Sequence, residues 1–319
     1  GHKVMAHHHN HSHSEKHHHP APTNQGRTFV ITILLNMVYV AVEFVYGFMA
    51  NSTALIADAG HNVSDVLGLL LSWGAVVLAH RQPSKRYTYG LRSTSILAAL
   101  ANAMLLLVAC GAIAWEAIHR FSHPPVIEGL TVSTVAAVGI FINGLSALLL
   151  MKGSKGDLNI RSAYLHMAAD TAVSLAVVLA GIGMLYTGWY WLDPVMSLLI
   201  VVVIVFGTWG LLRESLQLAM SAVPAQIDVP AIDAYLCQLE GVTDIHDLHI
   251  WGLSTTENAL TVHLVMPNGH PGDSFIDDCV RTLEEHHAVH HCTLQIERGT
   301  THHTCSLTVK KPPAHHHHH

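Results

Sequence analysis

Two histidine and aspartate pairs, His61 with Asp65 and His166 with Asp170, repeat one four-residue spacing inside two apolar stretches of this 319-residue chain. On a helix, residues four apart lie on one face a turn from each other, so each pair presents an imidazole and a carboxylate to the same side. Two such helices facing one another would supply four ligands. That is the closed N2O2 tetrahedron Zn²⁺ accepts, with no coordination position left over for an activated water. The chemistry indicated is the carrying of a divalent metal. An intramembrane metalloenzyme would need an open position, and no H-E-x-x-H helix is present, so the chain is read as not an enzyme.

Each of these residues alone has a plainer reading, as a hydrogen-bonded packing histidine or a capping aspartate. Ionisable groups in hydrocarbon are costly, about 2.5 kcal/mol or more at the bilayer centre, and so they mark function unless paired. The apolar stretches hold almost no basic partner for Asp58, Asp65 and Asp170, which favours the metal reading of the repeated pairs. Asp58, three residues before His61, shares or adjoins its face. With Glu43 and Asn143 it is expected to line the access path or to hydrogen-bond the ligands, direct ligation by Asp58 being the minority reading.

The elements that position these groups follow from hydropathy. Half the residues are hydrophobic, 12% are charged and mean hydropathy is +0.35, which describes a membrane protein. Six stretches, about 29–50, 53–79, 94–118, 126–151, 160–187 and 192–212, approach or exceed the ~20 residues that cross the hydrocarbon core. Arg81, Lys85, Arg86, Arg92, Lys152, Lys155, Arg161 and Arg213 fall on one side of this arrangement and only Arg120 on the other. The positive-inside rule then puts both termini in the cytoplasm of a multi-pass protein, in a bacterial inner membrane.

Beyond residue 222 the polarity of a soluble domain returns. Helix, strand, strand, helix and strand are expected over 228–239, 243–253, 259–267, 274–287 and 292–297, an αββαβ order suited to a ferredoxin-like α+β sandwich. Alternation along the second strand turns His263 away from the core, where His246 across the hairpin and Glu297 on the third strand complete a candidate metal site. His290, His291 and Cys305 form a second candidate constellation with zinc-type ligands. The five cysteines show no C-x-x-C spacing, which fits a reducing compartment.

The chain divides as 1–27, a disordered histidine-rich cytoplasmic segment; 28–221, six transmembrane helices; 222–311, a cytoplasmic metallochaperone-like domain; and 312–319, a tail. His315 to His319 read as a purification tag and Gly1 to Val4 as a cloning remnant. The tract from His7 to His19 reads equally as more tag or as a weak metal lure.

Three stretches also carry a family resemblance: Leu55 to Asp65, Leu158 to Asp170, and His246-Asp-Leu-His249-Ile-Trp251. Together they resemble the cation diffusion facilitator family and, within it, the bacterial zinc-exporting branch, over about 28–299. The resemblance implies a homodimeric, proton-coupled exporter whose transport ligands are His61, Asp65, His166 and Asp170, two histidines favouring zinc over cadmium. It implies metal at the cytoplasmic domain that bridges or steadies the dimer. One departure stands out. A G-x-x-R-x-E motif common in the family is replaced by Gly90-Leu-Arg92-Ser-Thr-Ser95, with the arginine one place early and no acid.

Proton coupling also has a purely physical argument. Two carboxylates and two neutral imidazoles carry about −2, which Zn²⁺ cancels and which protons must cancel when the metal leaves. The partners expected are thus Zn²⁺ as cargo and as a bound ion of the cytoplasmic domain, protons, the lipid bilayer and a second copy of the chain, with no nucleic acid. The alternatives are a broader divalent range (Co²⁺, Cd²⁺, Ni²⁺) and a membrane zinc sensor that binds without transport.

Overall fold

The structure, a computed structural model, describes residues 24–153, 160–301 and 305–307. The histidine tract through residue 23, Lys155 and the tail from residue 308 lie outside the described residues. Six long helices come first: α1 (Asn24–Met49), α2 (Thr53–Ala79), α3 (Thr94–Ser122), α4 (Gly129–Gly153), α5 (Ile160–Thr187) and α6 (Leu192–Ala219). Among the described residues five of them, all but α2, are long and apolar enough to cross a membrane. The chain is therefore a multi-pass membrane protein. Helices are what such a medium allows, because hydrocarbon offers backbone N–H and C=O groups no water.

The helices pack unequally. Among the described residues α3 lies along α6 and α4 along α5 as the most extensive pairs, while α2 packs on α1, α3 and α6 and more briefly on α5. Glycine sets the α4–α5 approach: a Cβ on Gly129 would meet the Gly181 carbonyl, and one on Gly181 would meet the Ser133 hydroxyl. Ser133 Oγ donates to the Val178 carbonyl across the same seam at 2.8 Å. Small residues that let backbones approach are the usual adhesive between membrane helices. α1 is held to α4 by the Tyr39 hydroxyl, which donates to the Val135 carbonyl at 3.0 Å, and by Asn36 Nδ2, which donates to Ser146 Oγ at 2.9 Å.

The C-terminal domain follows the order α7 (Val229–Cys237), β1 (Asp244–Gly252), β2 (Asn258–Val265), α8 (Asp273–His287) and β3 (His291–Glu297). Asp228 caps α7 by accepting from the Ala231 N–H at 3.2 Å, with Pro230 in the first turn where its missing N–H is harmless. β2 is the central strand, antiparallel to β1 and parallel to β3. Ile232 and Leu236 of α7 and Cys279 and Leu283 of α8 share one core with Ile250, Leu260, Val262 and Leu264 of the sheet.

The two regions meet through the loop that departs from the family motif. Arg92 Nε donates to Glu257 Oε2 at 2.9 Å, and the Thr255 N–H donates to Ser95 Oγ at 3.1 Å. Arg92 thus pairs with a carboxylate of the β1–β2 connection.

The α4–α5 seam gives a test. Gly181→Ala should lower the melting temperature of the purified protein, since overpacking a tight contact costs roughly 1–3 kcal/mol. Gly111→Ala, where a new Cβ meets nothing within 4 Å, should leave it unchanged.

Candidate metal centre

The helical period delivers His61 and Asp65 to one face of α2, and α5 brings Asp170 to them. His61 Nε2 lies 2.8 Å from Asp170 Oδ1 and 3.8 Å from Asp65 Oδ2. Ligand atoms of these three residues fall within 4.8 Å of one another. His166 stands four residues before Asp170 on α5, and its side chain lies outside the described residues. His61 and Asp170 are about one-sixth exposed and Asp65 is 37% exposed, so the cluster is enclosed on most sides and opens at Asp65.

Glu43 and Asp58 sit deeper. Both are buried and their carboxyl groups are in contact, while Asn62 Nδ2 donates to Glu43 Oε2 at 3.1 Å. Asn62 follows His61 directly, so this bond ties the ligand-bearing turn of α2 to α1. Sequence reasoning passed over Asn62, whose only signal is a polar residue beside a ligand. Asn143 is half-buried on α4.

A second cluster forms on the cytoplasmic sheet. His246 and His263 face each other in the β1–β2 register, His246 Nε2 lying 3.2 Å from His263 Nδ1. Glu297 of β3 reaches both, with Oε2 3.0 Å from His246 Nε2 and Oε1 2.9 Å from His263 Nδ1. Cys305 Sγ is 3.6 Å from His263 Nδ1, and His246, His263 and Cys305 could hold one ion. His290 Nδ1 accepts the Asn258 N–H at 3.0 Å and His291 packs its ring edge-on against Tyr89, and among the described residues neither joins the His246, His263 and Cys305 group. Of the other cysteines in this domain, Cys292 packs against the core, and burial pushes its thiol up to about 12. It stays an inert thiol, in contrast to a ligand thiolate.

Asp247 was also missed. It occupies the β1 irregularity between His246 and His249 with φ 53°, which turns its carboxylate to His249 Nε2 at 2.8 Å and His263 Nε2 at 3.5 Å. The His249 hydrogen bond holds its carboxyl below the usual aspartate range. Period-two alternation cannot foresee a residue displaced by a bulge.

With this geometry in hand, comparison with known proteins is informative. Residues 29–218 match the family model described as the cation efflux transmembrane domain, and 224–299 match that of the cation efflux protein cytoplasmic domain. The chain is 33% identical over 300 residues to a cadmium, cobalt and zinc/H(+)-K(+) antiporter of Bacillus subtilis, covering 92% of this chain and 96% of that one. It is 32% identical over 299 residues to the zinc transporter ZitB of Escherichia coli, covering 93% and 95%. It is 33% identical over 277 residues to the metal cation efflux system protein CzcD of Cupriavidus metallidurans, covering 86% and 88%.

The apposition of α2 and α5 can be checked directly. With the native cysteines replaced, a His61→Cys, Asp170→Cys double variant should be bridged by Hg²⁺ and become protected from maleimide labelling. A Gly111→Cys, Asp170→Cys pair should stay labelled.

Proposed function

Because the chain belongs to the cation efflux family, we propose that it exports Zn²⁺ from the cytoplasm in exchange for protons, by alternating access to a site of His61, Asp65, His166 and Asp170. The observation that carries this reading is the convergence of three of those four ligands from α2 and α5 within 4.8 Å. Ligand nitrogens around a tetrahedral zinc with 2.0–2.1 Å bonds stand roughly 3.3 Å apart, so a small closure of the helices completes the shell. The fourth ligand, His166, comes from one turn earlier on α5.

Six transmembrane helices, α2 included, place both termini and the basic 80–92 loop in the cytoplasm of a bacterial inner membrane. The C-terminal domain, ferredoxin-like in its αββαβ order, joins two copies of the chain and binds Zn²⁺ at His246, His263, Glu297 and Cys305. A broader cargo is the second reading. It is favoured by the Bacillus relative, whose name gives cadmium and cobalt beside zinc. Imidazole and carboxylate ligands accept Co²⁺ and Cd²⁺ as well, and geometry decides among them.

Loading and unloading follow from charge. Zinc binds only deprotonated ligands, so metal loading releases protons and protonation ejects metal. An acid compartment on the outer side favours unloading because imidazole ordinarily titrates near 6.5.

Zinc uptake into everted vesicles tests the transport reading. Asp65→Ala and Asp170→Ala should each reduce uptake by more than the roughly 10- to 100-fold typical of residues that only support ligands. Wild-type uptake should collapse when a protonophore dissipates the gradient. Flux indifferent to the gradient would sink the coupling, and zinc binding by the wild type without any flux would make the protein a sensor. For the cytoplasmic site, zinc titration of the full chain should show His263→Ala binding one equivalent fewer than wild type, with vesicle uptake retained in part.

A further inference from the structure

The first turn of α2 is capped from another helix. Asp193, in the first turn of α6, is completely buried. Its Oδ2 accepts from the Thr53 N–H at 2.9 Å, from Thr53 Oγ1 at 2.8 Å and from the Ala54 N–H at 3.4 Å. Its Oδ1 accepts from the Ser52 hydroxyl, whose oxygen in turn accepts the Leu55 N–H at 3.1 Å. The first three N–H groups of α2, orphans in any helix, are thereby all satisfied around one carboxylate.

This arrangement is specific in what it fixes. α2 and α6 run in the same sense, each following one of the two short links at 51–52 and 188–191 that lie on one side of the bundle, so their positive N-terminal dipole ends lie side by side and repel. A carboxylate between them, buried from solvent, turns that repulsion into attraction. Bonds to the successive residues Ser52, Thr53 and Ala54 set both the height and the rotation of α2 against α6. His61 and Asp65 lie two and three turns along, about 12 and 18 Å from Thr53 at 1.5 Å per residue. Among the described residues, α2 packs more extensively on α6 than on α5, which carries the facing candidate ligand.

We infer that Asp193 is a positioning residue of the metal centre. It locks α2 to α6 at one end, so that His61 and Asp65 meet Asp170 in ligand geometry before any ion arrives. The inference rests on the transport-site reading given above and adds to it a residue that touches no metal.

The test uses the full-length protein carrying His246→Ala and His263→Ala, so that bound Co²⁺ reports on the membrane site through its tetrahedral absorption bands. Asp193→Asn and Ser52→Ala should weaken Co²⁺ binding by about 10-fold or more, as outer-sphere losses do, with loss of band intensity. Ser52→Thr, which keeps the hydroxyl, should restore the wild-type affinity and spectrum. If Asp193→Asn does not fold, the Ser52→Ala and Ser52→Thr pair carries the same comparison. Folded variants with wild-type affinity and wild-type bands would overturn the inference. A parent protein whose Co²⁺ binding ignores His61→Ala and Asp170→Ala would instead overturn the transport-site reading, so the two failures are distinguishable.

Discussion

Within a membrane-spanning bundle no polar group can fall back on water, and every one must find its partner in the protein or in a bound ion. Most of the buried polar groups here have done so. Asn36 reaches Ser146, Tyr39 reaches Val135, Asn62 reaches Glu43, and Asp193 is surrounded by four donors. The cluster of His61, Asp65 and Asp170 differs from these. Its members bring ligand atoms of two carboxylates and one imidazole within 4.8 Å of one another. In the proposed function a divalent cation balances that charge.

The packing explains why a site of this kind can move. α5 is bound to α4 along a glycine seam, and α2 is bound to α6 at Asp193 and to α1 through Asn62 and Glu43. The candidate ligands therefore sit on helices with different main fastenings, joined also through α1, which Tyr39 and Asn36 bind to α4. In the proposed function an ion held between α2 and α5 straps the two together, and packed interfaces shift between discrete arrangements more readily than cores deform.

How much of this was legible in the sequence depends on the range of the signal. Spacings of four on a helix and alternation on a strand are local, so His61 with Asp65, His246 facing His263, and the order of the C-terminal elements could be read directly. Helix ends were less legible. α6 was expected to stop near residue 212 and runs to Ala219, because hydropathy falls at Arg213 and Glu214 while the helix itself continues. Contacts across long sequence separations were legible only where ligand chemistry announced them, as for His61 with Asp170. Asp193 meets Thr53 from 140 residues away, Arg92 meets Glu257 from 165, and neither residue type nor spacing announces such a partner. Asp247 was hidden for a different reason, since a bulge breaks the period on which strand reading relies.

Energetics tie the chemistry of the site to its direction of travel. Moving a divalent ion outward against an inside-negative potential costs roughly 4.6 kcal/mol per 100 mV, at about 2.3 per charge, and each returning proton offsets half of that. A carrier that went back empty through hydrocarbon would have to drag uncompensated carboxylates with it, at far greater expense than either loaded form. In the proposed exchange the form with zinc and the form with protons are both near neutral, and the bare form is the one the membrane excludes. On that reading coupling needs no separate gate for protons. It requires only that the same few oxygens and nitrogens of α2 and α5 serve both ions, and that α2 stay fastened tightly enough for those atoms to remain within one ion's reach.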